Sequence, residues 1–263
     1  MPTLTFDAAG VTVDTPHGPK VVLEPTTLEL TERRVAVVGA NGSGKSTLAR
    51  LVNGLVTATT GRVLVDGVDV SKDPSRVRRR VGFVFTDPAA QVVMPTCVED
   101  VELSLRRHVK GASARRARAI EVLAGFGLTD LADTSVHALS GGQRQMLALA
   151  GVLAVEPAVV VADEPTTLLD LANTHLVGDV LLGLDQQLLL VTHDLELARR
   201  CDRVLVIEDG RVRYDGAPAA AVDDYVASVA PRFDAPSTGS PGQTGAEGVK
   251  SWGEELHRAA RRP

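Results

Sequence analysis

The 263-residue sequence contains little cysteine, few aromatic side chains and no excess of positive charge. Its two cysteines, Cys97 and Cys201, are too few for a disulfide framework, so we interpret both as small buried apolar residues in a reducing compartment. Aromatic residues make up 3%, which leaves aliphatic side chains to fill the core. The formal net charge is -5, whereas nucleic-acid binders usually carry the opposite sign, and we predict no nucleic-acid partner.

Long apolar runs are also missing. The N-terminus shows no basic stretch followed by an apolar segment, and therefore no secretory signal peptide. The most apolar region, residues 180–191, is interrupted by Gly, Asp and Gln and is too short to span a bilayer. These features predict a protein that is soluble by itself and reaches a membrane only through partners.

Apolar runs that alternate with helical patterns predict the fold class. Short continuous apolar runs suit strands buried on both faces, which indicates a parallel sheet between layers of helices. The predicted strands are residues 11–13, 21–23, 27–30, 34–38, 81–85, 159–162, 188–192 and 204–207, with an edge hairpin at 61–70. The predicted helices include residues 45–53, 98–131 and 141–153.

The end of the chain differs in composition from the rest. Residues 231–248 are rich in Pro, Ser, Thr and Gly and nearly free of apolar bulk, which predicts a flexible linker. Residues 250–262 again show a helical pattern, with Trp252, Leu256 and Ala260 on one side. We expect one domain at residues 1–228 and a tail at 229–263 that is either poorly ordered or carries a short docking helix.

A glycine-rich motif follows the predicted strand at 34–38. It reads Gly39-Ala40-Asn41-Gly42-Ser43-Gly44-Lys45-Ser46-Thr47. The string matches the phosphate-loop pattern between a strand and a helix, where glycines let backbone N–H groups surround phosphate oxygens. Lys45 would add a charge for the β- and γ-phosphates of ATP, and the Ser46 hydroxyl suits Mg²⁺. The alternative is a chance glycine turn.

Two carboxylates end the predicted strand at 159–162. Asp163 could hold Mg²⁺ directly or through water, and Glu164 could act as the base that polarises the attacking water. The alternative is a charged strand end that faces solvent. Asp163 lies 118 residues after Lys45, which leaves room for an insertion of helices.

A second anion site is predicted at residues 139–145. Ser140 is placed to cap the helix that follows, and Gly141, Gly142 and Gln143 form its first turn with exposed N–H groups. A chain with one phosphate loop would use a second anion site to complete the nucleotide site of another copy. The alternative is an ordinary helix cap.

Together these segments resemble the ATPase domain of ABC proteins over residues 3–220. Residues 39–46 are similar to its Walker A motif, 139–145 to its signature motif and 159–164 to its Walker B motif. Asp170 resembles the D-loop aspartate and His193 the switch histidine. The resemblance implies an α/β P-loop NTPase fold with a mixed, mainly parallel sheet, an N-terminal antiparallel β subdomain and an inserted helical subdomain at about residues 87–157.

The same resemblance implies a homodimer or heterodimer of ATPase domains that sandwiches two ATP molecules head-to-tail. Ser140 and Gly142 of one domain would face the phosphate held by Lys45 of the other, and His193 would bridge that phosphate and the D-loop. ATP and Mg²⁺ are the implied cofactors.

A narrower resemblance lies at residues 83–105. Its markers are Asp87-Pro88, Gln91, Pro95-Thr96 and Glu99-Asp100. They stand in the order found in the ATPases of energy-coupling factor (ECF) transporters, which import vitamins, cobalt or nickel, and the Thr-Asp-Pro form is most similar to the biotin type. This implies a transmembrane scaffold subunit and a substrate-binding membrane subunit as partners, and a peripheral position on the cytoplasmic face of the cell membrane. Glu99, Asp100 and Glu102 would line a groove that receives the scaffold.

Three positions depart from the family pattern. Thr86 replaces the Q-loop glutamine that reaches towards Mg²⁺, so that either water or Gln91 would have to take its place. No adenine-stacking aromatic lies near Thr15, where His17 is the available substitute.

The third departure concerns the D-loop. Leu168 and Leu171 stand where Gly and Pro are usual beside Asp170. Because leucine is disfavoured at positive φ, we expect an altered turn.

Three function classes compete. A transporter motor is favoured over a soluble ABC ATPase of repair or translation and over a non-catalytic regulatory module. A chromosome-type ATPase would need a long heptad insertion for which the sequence has no room, and a translation type carries two such domains. Glu164 argues against a non-catalytic module.

Overall fold

In the computed structural model, residues 1–230 of the chain are described. Met1–Tyr225 form one unit, and the residues from Val226 onward are grouped apart from it. The predicted linker and docking helix lie outside the described residues, and the domain boundary at residue 228 stays a prediction.

Ten strands and eight helices follow one another within residues 1–230. The strands are β1 (Leu4–Thr15), β2 (Gly18–Leu30), β3 (Arg34–Val38), β4 (Thr60–Val65), β5 (Val68–Asp69), β6 (Val81–Val84), β7 (Val159–Asp163), β8 (Gln187–Val191), β9 (Arg203–Glu208) and β10 (Arg211–Gly216). The helices are α1 (Lys45–Asn53), α2 (Pro74–Arg78), α3 (Cys97–Leu105), α4 (Ala112–Gly125), α5 (Gly141–Leu153), α6 (Leu171–Gly183), α7 (Leu195–Arg199) and α8 (Pro218–Val229). Over these residues no helix is both long and apolar enough to cross a bilayer.

The strands form two sheets. One is antiparallel with the order β2-β1-β4-β5, and the other has the order β10-β9-β3-β8-β7-β6. The second sheet is parallel from β9 to β6, and β10 runs antiparallel to β9. Helices α3, α4 and α5 lie between β6 and β7 in the chain. This is the predicted α/β architecture, with an antiparallel β part and an insertion of helices.

Side-chain alternation along the parallel strands divides the core into two layers. On one face, Val37, Val161 and Leu189 pack with α1 and the antiparallel sheet. On the other face, Ala162 and Leu190 pack with residues of α3, α5 and α6. Because both faces are covered, these strands read as continuous apolar runs, and the sequence identifies them well.

The N-terminal strands are longer than predicted. The separate strands expected at 11–13, 21–23 and 27–30 belong to β1 and β2, which pair with each other along most of their length. The register shifts between Phe6 and Ala9 and twice more before Thr12. These bulges interrupt the strict alternation on which strand prediction depends, while the backbone pairing continues across them.

The helix predicted at 98–131 is wrong in part. It is divided into α3 and α4, and Gly111 precedes α4 with a φ of 86°. Such a left-handed residue cannot continue a helix, so the chain turns between the two segments. The helices predicted at 45–53 and 141–153 are confirmed.

A glycine pair tests the close contact between β1 and β4. Gly61 has a φ of 63°, and a Cβ there would lie 2.1 Å from the Ala8 carbonyl oxygen, whereas Gly67 has a φ of 73° and open space around the same position. We expect Gly61→Ala to lower the free energy of unfolding by about 2–4 kcal/mol, through overpacking and backbone strain. Gly67→Ala should lower it by about 1 kcal/mol, through strain alone. Urea unfolding measures both, and equal losses would contradict the contact.

Candidate functional site

Four parallel strands bring the predicted site residues to one edge of the sheet. Strands β3, β8, β7 and β6 are neighbours in that order, and Asp163 at the end of β7 pairs with Val191 at the end of β8. The phosphate loop (residues 39–46) follows β3, His193 comes two residues after β8, and Thr86 two residues after β6. Since the carboxyl ends of parallel strands share one edge, residues far apart in sequence meet there.

Two glycines of the phosphate loop are required by packing. Gly39 has a φ of 148°, and a Cβ there would lie 2.1 Å from the Ile207 carbonyl oxygen. Gly44 has a φ of 108°, and its Cβ would lie 2.7 Å from the Val22 carbonyl oxygen. Gly44 is also the N-cap of α1 and offers no side chain to the first N–H groups. No capping side chain therefore competes with an anion for these donors.

Lys45 is buried against the phosphate loop. Its Nζ donates to the carbonyl oxygens of Gly39 at 2.8 Å and Ala40 at 2.9 Å. Burial lowers the pKa of the Lys45 ammonium, and the nearby Glu164 and Asp163 act in the opposite direction. The Lys45 ammonium therefore lies at the loop, beside the carboxylates of Asp163 and Glu164. It is the positive charge that a bound phosphate group would meet.

Both carboxylate oxygens of Asp163 have partners. Ser46 Oγ donates to Oδ1 at 2.7 Å, and Arg50 Nη2 donates to Oδ2 at 3.0 Å. The Asp163 side chain is 1% exposed. A hydroxyl and a carboxylate oxygen at this spacing are the hard ligands that Mg²⁺ prefers, so Ser46 and Asp163 fit a magnesium ion held directly or through water.

Glu164 meets His193 at the same edge. The Glu164 Oε2 atom lies 2.7 Å from His193 Nδ1 and accepts a hydrogen bond from Thr167 Oγ1 at 3.0 Å. An ionised carboxylate can only accept, so with Glu164 in that state the His193 Nδ1–H group is the donor of this contact. Glu164 has a φ of 54°, a strained left-handed conformation for a residue with a long side chain. Strain of this kind concentrates at functional sites.

The signature segment (residues 139–145) lies against the D-loop aspartate. Ser140 caps α5 as predicted, in a capping box with Gln143. A Cβ at Gly142 would lie 2.1 Å from Asn173 Oδ1, so α5 and α6 approach closely there. The Asn173 backbone N–H and side-chain amide donate to Asp170 at 2.8 and 2.9 Å. Asn173 therefore connects the signature helix to Asp170.

Comparison with known proteins decides the family. The family description "ABC transporter" matches residues 24–167. The chain belongs to the ABC transporter family.

Individual relatives agree with this assignment. The ABC ATPase is 44% identical over 222 residues to "Biotin transport ATP-binding protein BioM" of Rhizobium etli, which covers 84% of this chain and 97% of the relative. It is 38% identical over 230 residues to "Energy-coupling factor transporter ATP-binding protein EcfA1" of Symbiobacterium thermophilum, over 85% and 79% of the two chains. The dimeric post-hydrolysis structure of the ATP-binding cassette MJ0796, bound to ADP and Pi, matches with a TM-score of 0.73 and 30% identity, over 82% and 98%. The predicted resemblance to ABC and ECF ATPases is confirmed, and the protein is an ATP-binding ATPase of the transporter class.

Thr86 makes a structural contact in the ABC ATPase. Its Oγ1 donates to the Asp163 carbonyl oxygen at 2.7 Å. The Gln91 side chain links the backbone of Phe85 to that of Ala148, at 3.3 and 3.1 Å. A route by which Gln91 reaches the metal would therefore have to break two hydrogen bonds that tie its loop to α5.

Neither leucine beside Asp170 adopts a positive φ. Within residues 1–230, the non-glycine residues with positive φ are Ala8, Asp66, Glu156, Glu164 and Asp209. Leu168 is not among them, so the turn before α6 is built without a left-handed leucine.

His17 lies in the exposed turn between β1 and β2. Its backbone N–H donates to Thr15 Oγ1 at 3.2 Å. Contact between the His17 ring and adenine stays a prediction.

Three residues of the site were not predicted from the sequence: Arg50, Thr167 and Asn173. Arg50 has a detectable signal, because it follows Ser46 by one helical turn and therefore shares its face of α1. Thr167 and Asn173 each bind a carboxylate three residues earlier, Glu164 and Asp170, and this spacing was the signal available in the sequence.

Arg50 gives a test of the charge balance around Asp163. Arg50→Ala leaves a buried carboxylate without its cation, and we expect the free energy of unfolding to fall by about 1–3 kcal/mol in the absence of nucleotide. Arg50→Lys, which keeps the charge, should lose less. Because Mg²⁺ would bring a new cation to Asp163, Mg-ADP should stabilise Arg50→Ala more than the wild type. Thermal unfolding with and without Mg-ADP measures this, and an Arg50→Ala variant as stable as the wild type would contradict it.

Proposed function

We propose that this ABC ATPase drives an ECF-type importer, with biotin as the favoured substrate and cobalt or nickel as the second candidate. The observation that carries the proposal is the meeting of Lys45, Ser46, Asp163 and Glu164 at one sheet edge. Biotin is favoured because a relative named for biotin transport is 44% identical along nearly its whole length. The relatives named above are transport proteins, and no observation supports a role in repair or translation.

The site residues divide into binding and catalytic roles. Lys45 and the N–H groups of residues 39–47 would hold the ATP phosphates, and Ser46 and Asp163 would hold Mg²⁺. When bound, Mg²⁺ neutralises phosphate charge during transfer. Glu164 would accept the proton of the attacking water. The His193 contact at 2.7 Å keeps that carboxylate in place.

The signature segment would act on a second ATPase domain. Ser140 is exposed at the start of α5 and Gly142 lies in the first turn, and this helix start would face the γ-phosphate bound by another domain. Two domains would then form two equivalent sites, as a homodimer or a heterodimer. The dimeric state of the MJ0796 cassette supports this arrangement.

A groove on the inserted helices is the proposed contact with the transmembrane scaffold subunit, on the cytoplasmic face of the membrane. Its lining residues are Met94, Glu99, Glu102, Leu103, Arg106 and Arg115. Glu99 accepts hydrogen bonds from Thr96 in the capping box of α3, and buried Asp100 accepts two from the backbone of the preceding loop. Glu102 neither caps α3 nor accepts from the backbone of that loop in these contacts. We therefore infer that its carboxylate would interact with a basic group of the partner.

Glu164→Gln tests the catalytic assignment. Because the amide cannot accept the proton, we expect ATP turnover to fall by about 100-fold or more while ATP binding persists. Unconsumed ATP should also hold two chains together, which light scattering detects as a doubled mass. Glu121→Gln on the exposed side of α4 is the control and should keep wild-type turnover. Near-normal turnover in Glu164→Gln would exclude Glu164 as the base.

Glu102→Lys tests the partner surface without disturbing the helix cap. Charge reversal should reduce co-purification with the co-expressed membrane subunits by about tenfold or more, while turnover of the isolated subunit stays unchanged. Glu121→Lys reverses an exposed charge on the neighbouring helix and should have no effect on either. Full retention of Glu102→Lys on the membrane subunits would contradict the groove assignment.

Uptake assays test the substrate. Cells that co-express this chain with its membrane subunits should accumulate labelled biotin, and Glu164→Gln should abolish that uptake. Labelled cobalt and nickel serve as the comparison. Uptake of cobalt or nickel without uptake of biotin would contradict biotin as the substrate and identify the transporter as a metal importer.

A further inference from the structure

A buried amide in the signature helix has no hydrogen-bond partner. Gln145 is 1% exposed, and neither its Oε1 nor its Nε2 atom makes a hydrogen bond within the described residues. Gln187 is buried to the same degree, yet its Nε2 atom donates to the carbonyl oxygens of Leu30 at 3.1 Å and Glu32 at 3.0 Å. A buried amide without a partner lowers the stability of the fold, so that of Gln145 needs a functional explanation.

The face of α5 that carries Gln145 meets the segment between β7 and α6, residues 164–170. Gly141 precedes Gln145 by four residues and therefore shares its face of the helix. A Cβ on Gly141 would lie 3.9 Å from both the Leu168 carbonyl oxygen and the Leu169 Cδ2 atom. The Gln145 side chain therefore lies on the side of α5 that packs towards residues 164–170.

The same segment contains a buried hydroxyl without a partner. Thr166 is 5% exposed, and its hydroxyl makes no hydrogen bond within residues 1–230. The adjacent Thr167 donates to Glu164 Oε2 at 3.0 Å, and that oxygen also contacts His193 Nδ1 at 2.7 Å. An unpaired acceptor on α5 therefore faces a segment that holds both an unpaired donor and the proposed base.

We propose that Gln145 is a positioning residue for Glu164, because its amide oxygen accepts a hydrogen bond from the Thr166 hydroxyl when Mg-ATP is bound. The inference rests on the proposed function of Glu164 as the base. To accept a proton from water, the Glu164 carboxylate leaves Thr167 and faces the γ-phosphate, and this moves Thr166, two residues further along the chain. The new hydrogen bond then holds the turn at residues 164–167 in the active arrangement. The amide is unpaired, and destabilising, only while the site is empty.

The first test compares two buried glutamines by thermal unfolding without nucleotide. Gln145→Met keeps the length of the side chain and removes an unpaired amide, so the unfolding midpoint should rise by about 2–4 °C. Gln187→Met is the matched control: it removes an amide that donates twice, and the midpoint should fall by about as much. A lower midpoint or a failure to fold in Gln145→Met would show that this amide is already paired, and would overturn the proposal.

The second test measures ATP turnover by the same variants. Gln145→Met should lower kcat by about tenfold or more, because Glu164 is no longer held in position. The KM for ATP and the affinity for a fluorescent ATP analogue should stay within about twofold, since the phosphate loop is untouched. Gln187→Met should keep the wild-type kcat at temperatures where it is folded, because Gln187 begins β8 at the end opposite to His193. An unchanged kcat in Gln145→Met would overturn the positioning role.

A double-mutant cycle tests the partner of Gln145. Thr166→Val keeps the shape of the side chain and removes the hydroxyl, so it should lower kcat to the same extent as Gln145→Met. The double variant should lose no more than either single variant, because all three lack the same hydrogen bond. Losses that multiply in the double variant would exclude Thr166 as the partner and overturn the proposed contact.

These outcomes are distinguishable from a failure of the proposed function. Near-normal turnover in Glu164→Gln, or no turnover in the wild type, would overturn the base that Gln145 is proposed to position. Turnover that depends on Glu164 and not on Gln145 would overturn the inference and leave the proposed function intact.

Discussion

The backbone register of four parallel strands determines where the phosphate loop, Asp163, Glu164 and His193 lie. Hydrogen bonds between β3, β8, β7 and β6 align their carboxyl ends, so the loops that follow them share one edge. The phosphate loop, Glu164 and His193 come from three of these loops, and Asp163 is the last residue of β7. The two apolar layers on the faces of the sheet hold that alignment, and the chemistry depends on it.

Each charged group at this edge has a partner within the chain. Lys45 rests on loop carbonyls, Asp163 is paired with Arg50, and Glu164 contacts His193. Buried charges are costly unless they are paired in this way. ATP phosphates and Mg²⁺ would take over some of these partners, so that ligand binding exchanges one set of pairings for another.

Sequence patterns predicted the parts of the molecule that depend on local chemistry. The bounds of α1 and the Ser140 cap follow from short-range rules, and the buried strands follow from their apolar runs. The patterns failed at the β1 bulges, where pairing across strands overrides alternation. They also missed the pair of Arg50 and Asp163, which are 113 residues apart and meet only because α1 packs beside β7.

The division between binding and catalysis is the central claim, and binding of a fluorescent ATP analogue tests it most directly. We expect Lys45→Ala to weaken binding by about tenfold or more, because the loop loses its full charge towards phosphate. His193→Ala should bind like the wild type and lose turnover, since its contact is with Glu164. Equally poor binding by both variants would contradict the account.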